Sequence, residues 1–415
     1  MNVLERAECL LDAGSSGNMN FTVVVRYRGP LEESILRRAL ATLQGEHLLL
    51  RSTLLWEGES CRFAPTAAPV PVHMQTWPGD RDPQGASQAW KPAAMAALRQ
   101  RFCGDGEPLW RITWLRGDGG GEVLLTFHHA IADGLSAMAL VQRLFTLLAA
   151  LGGGSAPEPA VDWDSTMPDL ERAFPCGAQQ GGEITTLPDR QDVGLTTSYA
   201  LEELAAPASQ AVLAWTRRRG LRLNATLHGA FLQSLVATGV LPPHTIASTV
   251  VNLRHLAQPA LPWELMRLLR VCVDTPVVVD PSAPLEPLAA HLHSVLQGQL
   301  RGGAPLQALH TIGATLGDGP SPRTYWQRCW REGGLITNLG RVPVEMHHGN
   351  LWLERLFFVA NIEPIALPER PFVVLGAMGF AERLSLSCLH IEQQLEESEA
   401  EAVLADMTQR LLALT

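Results

Sequence analysis

Apolar positions along the chain follow two periods that succeed each other. FTVVVRYRG (21–29) alternates like a strand and is stopped by Gly29-Pro30. LEESILRRALATLQGEH (31–47) then repeats apolar residues at helical spacing through Leu31, Ile35, Leu36, Ala39, Leu40 and Leu43. LLLRSTLLWEG reads as a strand. WRITWLRGD and GEVLLTFHHA, on either side of a Gly-rich turn, read as a hairpin, and DGLSAMALVQRLFTLLAALGGG as a helix with a glycine stop. From 152 to 197 the periodicity dissolves into Gly, Pro, Asp and Thr with isolated anchors such as Trp163 and Phe174, as in a segment that links domains or covers a site. After Ser198 the alternation resumes. SQAVLAWTRRRG and TLHGAFLQSLVATG predict helices, ASTVVNLR and RVCVDTPVVV strands, and SEAEAVLADMTQRLLALT a final amphipathic helix with acids at its start. The expected organisation is an N-terminal α/β subdomain (1–151), a crossing linker (152–197) and a C-terminal α/β subdomain (198–415), with no sequence repeat between the halves.

Composition narrows the class. At 415 residues, two subdomains are expected from domains of about 100–200 residues. Hydrophobic residues make up 46% and charged ones 18%, which describes a globular chain rather than a disordered one. A run of about 20 uninterrupted apolar residues is missing, so no membrane span is expected. MNVLERAECLLDAGSSGN has acids where a signal peptide has a basic region, and a cytoplasmic address is the expectation. Seven cysteines are scattered singly, without the spacing of a disulfide framework or a zinc site. The net charge of −10 gives no general reason to bind nucleic acid. Lys91 is the only lysine, and AWKPAAM resembles neither a Schiff-base site nor a phosphate loop.

Candidate chemistry concentrates in LLTFHHAIADGLS (124–136). Strand alternation puts Val123, Leu125, Phe127 and His129 on one face and Leu124, Thr126 and His128 on the other, so the two histidines meet different surroundings. Asp133 stands where an acid caps a helix, and Gly134 where the backbone can pass close to another segment. An imidazole at a strand end suits general base catalysis, and a strand–turn–helix with a capping Asp and a core His would look the same.

HHAIADG resembles the HHxxxDG signature of the coenzyme A-dependent acyltransferase superfamily, which includes chloramphenicol acetyltransferase, nonribosomal peptide condensation domains and polyketide-associated acyltransferases. GPLEESILRRALATLQGEHLLLRSTL, PLWRITWL, TVVNLR and LITNLGRV resemble further segments of that group, in the same order. The resemblance implies an α/β (α+β) fold of two chloramphenicol-acetyltransferase-like subdomains, with mixed sheets flanked by helices and an active-site tunnel at their interface. It implies that His129 is the catalytic base, that His128 supports it, and that Asp133 pairs with Arg254. Asn338 and Gly340 would lie near the tunnel, as oxyanion or substrate candidates. The implied reaction moves an acyl group from acyl-CoA or an acyl carrier protein directly to a hydroxyl or amine, O-acylation being favoured, in lipid or secondary metabolism. Coenzyme A or a phosphopantetheine carrier enters as part of the donor, with no resident cofactor, no metal and a monomeric enzyme. Two alternatives stay open: amide formation in trans with carrier proteins, and a non-catalytic docking module. LPWELMRLLRVCV departs from the glycine-containing turn usual after the arginine strand, which puts the tunnel wall in doubt. The DFGWG motif of the plant branch is absent, and TNLGR differs from the corresponding segment of the wax ester branch. His347-His348 reads as a turn, GSSGN (14–18) and GDG (104–106) as loops, and RRRGLR (217–222) as a solvated helix end or a docking patch.

Overall fold

The computed structural model describes residues 1–15, 19–58, 60–76, 89–102, 106–159, 174, 194–317, 319–328, 332–363 and 369–414. Most of the expected linker, 160–173 and 175–193, lies outside them, as do parts of GSSGN and GDG. Helix α1 (Val3–Gly14) opens the chain on a reciprocal cap between Asn2 and Glu5. Strand β1 (Asn20–Arg28) and helix α2 (Glu33–Glu46) follow, then β2 (Ser52–Glu57), β3 (Ser60–Pro65), β4 (Val72–Thr76) and α3 (Lys91–Arg99). The predicted hairpin is β5 (Trp110–Gly117) and β6 (Gly120–His128), and it leads into α4 (Gly134–Gly152). The second half contains β7 (Thr197–Leu204), α5 (Ala206–Arg218), α6 (Leu223–Ala237), β8 (His244–Asn252), β9 (Arg270–Val278), α7 (Leu285–Arg301), α8 (Ala304–Gly317) and α9 (Pro322–Arg328). It closes with β10 (Gly333–Arg341), β11 (His347–His348), β12 (Leu351–Ala360), β13 (Phe372–Phe380), β14 (Arg383–Ile391) and α10 (Glu397–Leu412).

These elements build two mixed six-stranded sheets flanked by helices, in the orders β11-β12-β1-β6-β5-β4 and β7-β14-β13-β10-β8-β9. In the first, β1 and β6 are buried on both faces, so they read as continuous apolar runs. Phe21, Val23 and Val25, with Val123, Leu125 and Phe127, pack towards α2 and α4; Val24 and Leu124 face the second sheet. There they meet Trp90, Tyr199, Leu335, Val374 and Leu389, the apolar layer between the two sheets. Ser387 Oγ donates to Phe358 O at 3.1 Å, tying β14 to β12 where the sheets touch. α4 is long and apolar enough to cross a membrane by composition, and it serves as a core helix, with Leu140, Val141, Leu144, Phe145 and Leu148 buried.

Sheet membership does not follow chain order. β11 and β12, which lie within 198–415, join the first sheet, where Phe21 of β1 pairs with Ala360 of β12. His347 and His348 form one arm of a tight hairpin, opposite Trp352 and Leu351, rather than its turn.

Candidate active site

β6 ends at His128, and the chain then turns sharply into α4. Both sides of that turn are held by the backbone: His128 N donates to Leu109 O at 2.9 Å and His129 N to Met19 O at 2.7 Å. His128 is fully buried. Its Nδ1 accepts from Ala130 N at 3.0 Å, so in the neutral ring Nε2 carries the proton and faces Asp12 Oδ2 at 3.5 Å. Asp12 also accepts from Met19 N at 2.8 Å.

His129 has the opposite tautomer. Its Nδ1 lies 2.9 Å from Ala132 O, a group that can only accept, so Nδ1 carries the proton and Nε2 keeps its lone pair. The ring packs 4.8 Å from that of Phe21. Burial, reinforced by the nearby Arg270 guanidinium, pushes the imidazole down to about 4; the Glu8 carboxylate opposes this only in part. His129 is therefore neutral at pH 7.

A cavity of about 170 Å³ opens beside it, between the sheets. Its wall is largely apolar, with Val250, Leu335, Phe358, Phe372, Val374 and Leu389 at the sheets and Trp326 and Leu11 at the helices. Among the described residues its charged side chains are Glu8 and Arg270, which pair at 2.7 Å. His129 is on this wall and His128 is not.

Asp133 caps α4, accepting from Ser136 N and Ser136 Oγ at 3.0 Å each. Arg254 grips it with both guanidinium arms, Nη1 to Oδ2 at 2.7 Å and Nη2 to Oδ1 at 3.1 Å, and Leu269 N donates to Oδ2 at 3.0 Å. Burial alone would raise the carboxyl; Arg254 and the N–H donors outweigh it and hold it below its ordinary value. Arg254 also donates to Leu265 O and Arg267 O, so the unusual LPWELMRLLRVCV segment is threaded around this pair. Gly134 allows the close approach its position suggested: a Cβ there would lie 2.6 Å from Leu339 Cδ2.

Asn338 and Gly340 lie with Leu339 in β10, where the register with β13 shifts between Asn338 and Arg341. Asn338 Oδ1 accepts from Gly340 N at 2.8 Å, and Gly340 has φ +65°. Within TNLGR, Thr337 is the residue on the cavity wall among the described residues. Arg217, Arg218 and Arg222 are exposed, while Arg219 pairs with Glu286 at 2.6 Å and covers Trp215. Among the described residues no group of three or more His, Cys, Asp or Glu could hold a metal ion.

Sequence reasoning missed α1 and what it carries. Glu5, Glu8 and Asp12, three and four residues apart, share one helix face. They meet Arg267 at 2.6 Å, Arg270 at 2.7 Å and His128 at 3.5 Å. The signal was a helix whose acids, not its apolar residues alone, face inward, matched by arginines spaced three apart in RLLR.

Comparison with known proteins agrees with this architecture. Residues 10–163 match the family model of the condensation domain. Over 146 residues, 35% of the chain, it is 32% identical to the probable non-canonical nonribosomal peptide synthetase CymA of Salinispora arenicola (strain CNS-205), of whose length the match spans 2%. The trichothecene 15-O-acetyltransferase TRI3 of Fusarium sporotrichioides has the same fold, with a TM-score of 0.73 and 13% identity over 99% of this chain and 93% of that one. The starter condensation domain of rhizomide synthetase, solved with C8-CoA, gives 0.68 and 16% over 99% and 93%.

Proposed function

Because the chain shares the fold of condensation domains and acetyltransferases, which fits the coenzyme A-dependent acyltransferase superfamily, we propose that it transfers an acyl group from a thioester directly to a hydroxyl, with His129 as general base. The observation that carries this reading is the tautomer of His129: Nδ1 is committed to Ala132 O, and an unprotonated Nε2 belongs to a ring on the wall of an apolar cavity. The acceptor oxygen attacks the thioester carbonyl as its proton passes to Nε2. A base with a value of about 4 is too weak to form a free alkoxide, so proton transfer accompanies C–O bond formation. Collapse of the tetrahedral adduct breaks the C–S bond, and the imidazolium, a far stronger acid than a thiol, gives its proton to the departing sulfur. No acyl-enzyme is needed. The apolar wall suits the acyl chain and disfavours water, which would compete with the acceptor.

The test is release of free thiol from acyl-CoA in the presence of an alcohol; no release from acyl-CoA or from an acyl carrier protein, with any alcohol or amine, would leave a docking module instead. Because the neutral base is the active form, log kcat/KM should rise as pH is taken up through about 4 and stay level through neutrality. A rising limb near the ordinary imidazole value of about 6.5 would contradict the burial of His129 in the working enzyme. Lengthening a straight acyl chain should raise kcat/KM about fourfold per methylene, from about 0.8 kcal/mol each, until the apolar wall is covered. A flat series would place the acyl group elsewhere.

Amide formation between carrier proteins in trans is the second reading, favoured by the condensation-domain match over 10–163 and by the likeness to a nonribosomal peptide synthetase. Replacing the alcohol by an amine, and acyl-CoA by an acyl carrier protein, separates the two.

A further inference from the structure

Among the described residues, the apolar wall of the cavity beside His129 is interrupted by one charged pair, Glu8 and Arg270, and one oxygen of Glu8 is left over. Glu8 is 6% exposed, and its Oε1 accepts from Arg270 Nη2 at 2.7 Å. Its Oε2, also buried, receives no hydrogen bond from the described residues. A buried carboxylate oxygen left without a donor is costly, and helix α1 has every opportunity to avoid it, since an alanine or leucine at this position would complete an apolar wall. The other two acids on the same face are bound into the architecture: Glu5 pairs with the buried Arg267, and Asp12 accepts from Met19 N and faces His128. Only Glu8 lies on the cavity wall, which it shares with His129.

We propose that Glu8 Oε2 is a substrate-binding atom, accepting a hydrogen bond from an O–H or N–H group carried close to the reacting centre. This deepens the acyl-transfer reading and rests on it. Two sources supply that chemistry: a second hydroxyl or amino group on the acceptor, or an amide N–H of the pantetheine arm of the thioester. Arg270 holds the carboxylate in place through Oε1. A hydrogen bond to a charged group then selects substrates that carry the donor and disfavours those that would bury Oε2 against methylene.

The test crosses two donors with two acceptors. Octanoyl-CoA and S-octanoyl ethanethiol differ in the pantetheine amides; 1,2-hexanediol and hexanol differ in the second hydroxyl. Thiol release is measured for the wild-type chain and for Glu8→Gln, which keeps an oxygen for Arg270. If the acceptor supplies the group, Glu8→Gln lowers kcat/KM for the diol by about 10- to 100-fold more than for hexanol, whichever thioester is used. If pantetheine supplies it, the same excess loss follows octanoyl-CoA, whichever acceptor is used. An equal loss in all four pairings, or none in any, overturns the proposal. Glu8→Asp, which keeps the charge but withdraws it by one methylene, should reproduce the same pairing-specific loss and stands in if the glutamine variant does not fold. Should wild type release no thiol in any pairing, transfer from these thioesters to a hydroxyl falls, and Glu8 is then judged on binding alone. In that case coenzyme A or 1,2-hexanediol must raise the Tm of wild type and raise that of Glu8→Gln less; equal shifts, or none, overturn the assignment.

Discussion

His129→Ala is expected to lower thiol-releasing transfer by about 10²- to 10⁴-fold, about 3–5 kcal/mol of barrier, with a nearly unchanged melting temperature. The ring contributes one hydrogen bond to a local carbonyl and a contact with Phe21, on the edge of a cavity that already exists. Truncation therefore enlarges that cavity without opening a new one in the core. His128→Ala should behave in reverse. Its fully buried ring accepts from Ala130 N and faces Asp12, so alanine leaves a void, an unpartnered N–H and a carboxylate deprived of its neighbour. The expected loss is about 2–4 kcal/mol of stability, with activity falling only as far as the turn loosens. Comparing kcat/KM and Tm for the two variants separates base from support. Equal activity in both would refute the assignment of His129.

Asp133→Ala is expected to be the most destabilising single change in the site, by about 3–5 kcal/mol, because it strands the buried Arg254 guanidinium without its counter-ion. Denaturant unfolding should show a lower midpoint at an unchanged slope. The loss should carry activity with it, since Arg254 and Leu269 N both anchor on this carboxylate and hold the segment after β8 against the start of α4. Asp133→Asn keeps the shape but presents an N–H₂ where Arg254 or Leu269 N donates, so rescue should be partial at best. The pH dependence has a definite sign. The carboxyl is held below its ordinary value in the folded chain, so its contribution is present above the unfolded value and disappears as pH falls through the folded one. In Asp133→Ala that acid limb of the stability curve should be missing.

Much of this was legible in the sequence, for identifiable reasons. β1, α2, the β5–β6 hairpin and α4 declared themselves because each has one period and ends on a turn residue or a cap. The split between His128 and His129 was readable from strand alternation, although both faces of β6 turned out to be buried. The partnership of Asp133 with Arg254 was carried by the resemblance, since no local pattern joins residues so far apart. α1 escaped because its inward face is acidic and resembles a solvated one; only Arg267, Arg270 and His128 reveal otherwise. Asn338 was a natural candidate from TNLGR; its side chain accepts from Gly340 N at the register shift in β10, which Gly340's left-handed conformation permits.

The placement of β12 has a consequence for how the molecule is made. β1 lies between β6 and β12, and its partner for Phe21 is Ala360. On a ribosome adding roughly 5–20 residues per second, β1 and β6 would emerge and pair many seconds before β12 exists. Throughout that interval the nascent chain displays a long, apolar strand edge, the kind of edge that invites pairing with another molecule. Expression of residues 1–197 alone should therefore yield aggregate. Supplying 198–415 as a separate chain during synthesis should bring part of it into solution, a complementation that depends on the strand at 351–360.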